Sequence, residues 1–151
     1  MNDYIPFALP DVTQSEIDAV VEVLRSGWVT TGPRTKEFET RFAGAVGGEQ
    51  CVMVNSCTAA LHLALEAVGV KSGDEVIVPT PAWVSYRPLV ELAGGSVVEV
   101  PGAIERGFKV TPGQIAAAVT PRTRAIILNS PSNPCGIAYS EQELRAIVAP
   151  F

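Results

Sequence analysis

The sequence predicts an α/β fold with a mostly parallel sheet and helices on both faces. Two patterns carry this prediction. Short runs of β-branched residues, such as EVIVP at residues 75–79, alternate along the chain with stretches of helical periodicity. These runs are almost entirely apolar, which is typical of parallel strands buried on both faces. A chain of 151 residues is long enough for one domain with a core of ordinary size.

The chain begins with two predicted helices joined by a loop. Thr13 is followed three residues later by Glu16, which is the spacing of a capping box, and apolar residues then recur at helical spacing up to residue 26. Gly27 ends this helix. The Gly- and Thr-rich loop GWVTTGP separates it from a second predicted helix at residues 35–46.

Strands and helices then alternate to the end of the sequence. Four strands are predicted, at residues 51–55, 75–79, 96–100 and 124–129. The helices are an Ala- and Leu-rich one after the first strand, one at residues 84–93, a short one with Pro112 in its first turn, and one capped by Ser140 with Glu143 three residues later. Parallel strands connected in this way place helices on both faces of the sheet.

Composition and charge argue against several classes of function. The net charge is −5 and no run of Lys or Arg occurs, which disfavours binding to nucleic acid or to an anionic membrane surface. No apolar stretch approaches the ~20 residues of a membrane-spanning helix. MNDYIPFALP lacks the pattern of a signal peptide, so a cytoplasmic location is expected. Three cysteines without CxxC spacing and a single histidine predict neither a metal site nor a disulfide framework.

His62, the only histidine, is either a catalytic residue or, as its position on the helix favours, part of a polar stripe. Thr58, His62 and Glu66 recur every four residues on one helix face, and a His/Glu pair at that spacing stabilises a helix modestly. The lysines of the sequence are all predicted to be solvated surface residues: Lys36, Lys71 and Lys109.

Polar loops are predicted at the carboxyl ends of the strands, where α/β sheets bind ligands. In NSCT, after the first strand, either Asn55 or Ser56 caps the helix, or the free N–H groups of the helix bind an anion. In TPAW, Trp83 is either a core residue or a surface on which a ring stacks. In NSPSNPCG, Asn133 either starts a turn or presents its amide to a ligand. Together these loops suit a flat aromatic ligand that carries a phosphate.

Motifs along nearly the whole chain resemble one superfamily of enzymes. GWVTTGP, VNSCTAALHLAL, GDEVIVPT and VTPRTRAII resemble the DegT/DnrJ/EryC1/StrS family, aminotransferases that act on nucleotide-linked keto sugars. PAWVSYRPLVELAGG and NSPSNPCG are more similar to class I aminotransferases of the aspartate type. Both families are fold-type I enzymes that depend on pyridoxal 5′-phosphate (PLP). The resemblance therefore implies part of the large domain of such a transferase, PLP as cofactor, a small-molecule amino donor and keto acceptor, and a homodimer in the complete enzyme.

The resemblance also implies roles for particular residues. Ser56, Cys57 and Thr58 match the turn that holds the cofactor phosphate, although the sugar-acting branch usually has Gly at the position of Cys57. Trp83 matches the aromatic residue that stacks on the pyridine ring, and Asn133 matches the class I asparagine that hydrogen-bonds the 3′-hydroxyl. The residues that match the early loop near the substrate are Trp28, Thr30 and Thr31.

In both families the Schiff-base lysine comes further along the sequence, so no catalytic residue is expected within this chain. Residues 1–34 are predicted to form an N-terminal helix and substrate-side loop, and residues 35–151 the front half of the PLP-binding domain, truncated before that lysine. We expect the N-terminal portion of an aminotransferase, inactive alone, whose acceptor is a nucleotide-linked keto sugar or a 2-oxo acid. The alternative is a non-catalytic fragment that binds PLP or phosphate without the lysine.

Overall fold

The computed structural model describes residues 8–151, which form two compact units, the first ending at Met53 and the second spanning Val54–Phe151. The first seven residues lie outside the described residues. They include most of the stretch in which no signal peptide is expected and the start of the predicted segment 1–34.

The first unit contains the two helices that the sequence predicts. Helix α1 spans Gln14–Ser26 and begins with the expected capping box, in which Glu16 accepts a hydrogen bond from the N–H of Thr13 at 2.7 Å. Helix α2 spans Pro33–Val46 and starts earlier than predicted, because the fixed φ of Pro33 suits the first turn of a helix.

The second unit is built on a three-stranded parallel sheet. Its strands are β1 (Glu75–Thr80), β2 (Ser96–Pro101) and β3 (Thr123–Ile126). The strand order is β2-β1-β3, so that Ile77 of β1 lies opposite Val98 on one side and Ile126 on the other. Three of the four predicted strands are therefore confirmed, although β3 is shorter than predicted.

The strand predicted at residues 51–55 is wrong. These residues form no ladder with any strand in the described part of the chain. The N–H of Met53 donates instead to Oε1 of Glu39 at 2.8 Å. A strand depends on packing and pairing with its neighbours, which a local run of apolar residues does not specify.

Helices cover both faces of the sheet, as predicted. Those of the second unit are α3 (Cys57–Ala67), α4 (Tyr86–Leu92), α5 (Pro112–Ala118) and α6 (Glu141–Val148), with a short 3₁₀ turn at Ile104–Arg106. Because side chains alternate along a strand, Val76 and Val78 pack with α3 and α4 on one face. Ile77 packs on the other face with Ile115 of α5 and Ile147 of α6. Within residues 8–151, no helix is long and apolar enough to cross a membrane.

A buried carboxylate closes the amino-terminal edge of the sheet. Glu75, the first residue of β1, is 8% exposed. It accepts hydrogen bonds from the hydroxyl of Thr120 at 2.5 Å and from Nε of Arg122 at 3.0 Å. The hydrogen bond from Thr120, followed by that from Arg122, holds the pKa of Glu75 below its ordinary value. The opposite, carboxyl edge carries the loops after β1 and β3.

Candidate functional site

Ser56 caps the N-terminus of α3. Its backbone is extended (φ −159°, ψ 155°), and its Oγ accepts a hydrogen bond from the N–H of Ala59 at 3.1 Å. Asn55 lies one residue before the cap, and its Oδ1 accepts from the hydroxyl of Ser56 at 3.4 Å. Of the two caps that the sequence offers, Ser56 is the one used.

The remaining donors of this first turn are open. Within residues 8–151, the backbone N–H groups of Cys57 and Thr58 and the hydroxyl of Thr58 have no hydrogen-bond acceptor. Ser56, Cys57 and Thr58 are all exposed. Such N–H groups lie at the positive end of the helix dipole, where an anion is stabilised. The cap and the anion site are therefore compatible, because the cap uses one N–H group and leaves two.

Trp83 follows β1 and is half-buried. It packs against the core cluster that β1, α3 and α4 share. Its ring centroid lies 5.6 Å from that of Tyr86, and the two ring planes meet at 85°. Trp83 therefore packs at the edge of the core and keeps part of its surface exposed to solvent.

Asn133 lies at a narrow cleft beside the carboxyl ends of β1 and β3. The cleft has a volume of about 20 Å³. The N–H of Asn133 donates to Oδ1 of Asn129 at 2.8 Å, which holds the turn. The side-chain amide of Asn133 is exposed and makes no hydrogen bond to any described residue. The polar side chains that line the cleft belong to Thr80, Tyr86, Asn129, Ser132, Asn133 and Tyr139.

Tyr86 is a residue of this region that the sequence analysis misses. It is 8% exposed, contacts Trp83 and lines the same cleft as Asn133. Burial is the main cause that raises the pKa of its hydroxyl above the ordinary value. Tyr86 thus borders both the indole and the cleft. The available signal was the spacing in WVSY, which places a second aromatic residue at the start of a helix, three residues after the first.

Trp28, Thr30 and Thr31 lie in the first unit, in the loop between α1 and α2. The Nε1 of Trp28 donates to the C=O of Thr31 at 2.9 Å. The indole lies directly over Gly32, so that a Cβ at this position would collide with the ring. Trp28 and Thr30 line a pocket of about 440 Å³ in this unit. Hydrogen bonding and the bare backbone of Gly32 together set the position of the indole.

The expectation that every lysine is a solvated surface residue is wrong for Lys109. Its Nζ donates to both carboxylate oxygens of Glu143, at 2.9 and 2.8 Å, and its side chain is half-buried. The hydrogen bond from Lys109 is the largest cause of the lowered pKa of Glu143, about 2. Lys36 and Lys71 are exposed. All three lysines belong to the described residues, and none lines the cleft that holds Asn133.

The histidine and the cysteines are the remaining candidate groups that the sequence analysis names. Nε2 of His62 lies 3.5 Å from Oε1 of Glu66, which agrees with the predicted pair on one face of α3. The three cysteines are free thiols. Among residues 8–151, no group of three or more His, Cys, Asp or Glu side chains could hold a metal ion.

Comparisons with known proteins identify a family and a shared fold. The model of the DegT/DnrJ/EryC1/StrS aminotransferase family matches residues 10–137. A candidate sugar aminotransferase of Streptococcus pneumoniae, Spr1654, is 40% identical, with a TM-score of 0.74 over 82% of this chain and 31% of that protein. The aminotransferase TlmJ of Streptoalloteichus hindustanus is 33% identical, with a TM-score of 0.76 over 95% of this chain and 38% of TlmJ.

The aspartate-type resemblance is also found among solved structures. An aspartate aminotransferase of Thermus thermophilus, solved with maleate, is 34% identical, with a TM-score of 0.72 over 87% of this chain and 37% of that enzyme. The chain spans between 31% and 38% of the length of these three proteins.

Proposed function

Because this chain belongs to the DegT/DnrJ/EryC1/StrS aminotransferase family, we propose that it is the part of a PLP-dependent aminotransferase that binds and orients the cofactor. The Streptococcus pneumoniae relative, of which solved structures include a PLP form and a PMP form, supports this choice of cofactor. When bound, PLP supplies an electron sink for the carbon that loses a proton during amino transfer. The proposed amino donor is an amino acid, and the acceptor is a nucleotide-linked keto sugar or a 2-oxo acid.

The first turn of α3 is the observation that carries the proposal. The N–H groups of Cys57 and Thr58 and the hydroxyl of Thr58 are donors suited to phosphate oxygens, and the hydroxyl of Ser56 becomes a fourth when it turns away from its long 3.4 Å contact with Asn55. They are exposed, and the described residues do not occupy the two N–H groups. The exposed side chain of Cys57 lies beside these N–H groups. It leaves a phosphate less room to approach the backbone than a glycine would. The residues present fit a phosphate group, and we assign them that role.

Two further residues would orient the cofactor ring. The open part of the indole of Trp83 offers a face for stacking on the pyridine ring, a contact of roughly 1 kcal/mol beyond burial. The amide of Asn133, which no described residue engages, would hydrogen-bond the 3′-hydroxyl. In the first unit, Trp28, Thr30 and Thr31 are proposed to contact substrate.

Proton transfer during amino transfer needs a base, and a lysine in the cofactor pocket supplies it in this class of reaction. Lys109 is held by Glu143, and Lys36 and Lys71 are solvated. We therefore propose that this chain binds and orients the cofactor and the substrate. In this proposal, residues 1–34 form the N-terminal helix and substrate-side loop, and residues 35–151 form the front half of the PLP-binding domain. The homodimer implied by the resemblance and the cytoplasmic location expected from the sequence belong to the same proposal.

A spectrophotometric titration tests the proposal. PLP and pyridoxal, which lacks the phosphate, are titrated into the chain, and their affinities are compared. PLP should bind more tightly by about tenfold or more, because hydrogen bonds to a charged group contribute about 1.5–3 kcal/mol. Equal affinities for PLP and pyridoxal would contradict both the phosphate site and the function proposed from it.

The alternative, a protein that binds PLP or phosphate without amino transfer, rests on the positions of the three lysines. An assay with an amino donor, a keto acceptor and PLP separates the two. Any longer form of the protein that contains this chain should transfer amino groups. Binding of PLP without transfer in such a form would favour the alternative.

A further inference from the structure

Tyr86 is anchored in the core, and its ring rests against Trp83. It is 8% exposed and belongs to the cluster that includes Leu65 and Leu89. The N–H of Tyr86 donates to the C=O of Trp83 at 3.1 Å, which closes the turn between β1 and α4. The ring centroids lie 5.6 Å apart with the planes at 85°, an edge-to-face geometry that aromatic pairs prefer. The half-buried indole therefore packs against the ring of Tyr86, which the core holds in place.

This contact limits the orientations open to Trp83. A partly exposed indole could rotate about its side-chain torsions, and a ligand that stacked on it would have to stop that rotation at an entropic cost. A neighbouring ring fixed at 85° favours one orientation before any ligand arrives. A binding group that packing has already oriented binds more tightly than a mobile one.

We propose that Tyr86 is a positioning residue, which fixes the plane of the Trp83 indole and thereby strengthens stacking of a flat aromatic ligand on it. The inference rests on the proposed function of Trp83. Tyr86 acts through the indole and does not need to touch the ligand.

The ring of Tyr86, and not its hydroxyl, is the group that does this. Tyr86 lines the same cleft as Asn133, and no described residue hydrogen-bonds its hydroxyl. Tyr86→Phe keeps the ring and removes the hydroxyl, whereas Tyr86→Leu removes the edge-to-face contact. Val90→Ala is the matched control, because Val90 is fully buried in the same cluster but is not part of the aromatic pair.

The first measurement needs no ligand. The chain has two tryptophans, so Trp28→Phe leaves Trp83 as the only one. In that background we expect Tyr86→Leu to reduce the near-ultraviolet circular dichroism of Trp83 and to increase its quenching by acrylamide. Tyr86→Phe and Val90→Ala should leave both signals close to those of the parent. The proposal would be overturned if Tyr86→Leu and Val90→Ala showed the same circular dichroism and the same quenching of Trp83.

The second measurement is the affinity for PLP. Tyr86→Leu should weaken binding by about two- to tenfold, the range expected for an aromatic pair. Trp83→Ala should weaken it at least as much, and the double variant should lose no more than Trp83→Ala alone. Additive losses, or an equal loss in Tyr86→Phe, would overturn the proposal.

Failure of the proposed function gives a different result. If Trp83→Ala leaves the affinity for PLP unchanged, the indole does not stack and the role of Tyr86 in ligand binding falls with it. The spectroscopic comparison would still decide whether Tyr86 orients the indole.

Discussion

Replacing Ser56 by alanine should separate the helix cap of α3 from its proposed phosphate site. The hydroxyl accepts one hydrogen bond, from the N–H of Ala59 at 3.1 Å. Because the cap is exposed, water can hydrogen-bond that N–H after the substitution. The free energy of unfolding should therefore fall by ~1 kcal/mol, rather than by the upper limit of about 2 for a helix cap. For a unit of this size, that loss lowers the melting temperature by about 4–8 °C.

The structure provides two matched controls. Ser140 caps α6 in the same way, with Oγ accepting from the N–H of Glu143 at 3.3 Å, and no ligand is proposed there. Ser140→Ala should therefore lower the melting temperature similarly and leave the affinity for PLP unchanged. Thr58→Val removes a hydroxyl that caps nothing within residues 8–151, so its unfolding free energy should change by less than ~0.5 kcal/mol.

The affinity for PLP is the second quantity measured for each variant. Ser56→Ala and Thr58→Val should each weaken PLP binding by about tenfold or more, since each removes a donor to a charged group. Thermal melts followed by circular dichroism and titration with PLP give the two values for each variant. The proposed phosphate site is refuted if Ser56→Ala and Ser140→Ala have the same melting temperature and the same affinity for PLP, and Thr58→Val binds PLP as tightly as the parent.

Three further outcomes follow from the described contacts. The free energy of unfolding should fall as the pH drops from 4.5 to about 2. The lowered pKa of Glu143 gives a stabilising contribution that is complete above pH 4.5 and is lost as its carboxylate takes up a proton in the folded state. Lys109→Met removes the largest cause of that lowered pKa and should flatten the dependence in urea melts run at several pH values. Gly32→Ala should displace the indole of Trp28 and increase its quenching by acrylamide, with the other tryptophan replaced by phenylalanine. Ile115→Ala, at a fully buried position, should lower the unfolding free energy by ~2–5 kcal/mol in urea melts.

Each of these outcomes has its own contradiction. A pH slope in Lys109→Met equal to that of the parent would mean that the ion pair does not lower the pKa. Unchanged quenching in Gly32→Ala would mean that the indole does not lie over this glycine. A loss in Ile115→Ala no larger than that in Ala117→Ser, an exposed position of the same helix, would contradict the core assignment.

Local signals predicted most of the fold. The capping boxes at Thr13 and Ser140 set the starts of their helices, because the hydrogen bonds involved join residues only three apart. The strands at Glu75–Thr80 and Ser96–Pro101 were found because continuous apolar runs are typical of a buried parallel sheet. The same signal failed at residues 51–55, where no neighbouring strand pairs with the run in the described chain.

Contacts between distant residues could not be predicted in this way. Lys109 and Glu143 are 34 positions apart, and only the fold brings the amine to the carboxylate. The contact between Tyr86 and Trp83 is local, yet its angle depends on how α4 packs on the sheet. Sequence reasoning proposed the residues of the candidate site, whereas the contacts of those residues depend on tertiary packing.

The central place of β1 has a consequence for amide exchange. Because β1 is paired on both sides, most of its N–H groups lie between two layers of helices and should exchange with deuterium only when the whole unit opens. The loops after β1 and β3 carry Trp83 and Asn133, and they leave the sheet at its carboxyl edge. A ligand that tightens these loops would slow exchange there and leave β1 unchanged, so deuterium uptake can report local ordering separately from global stability.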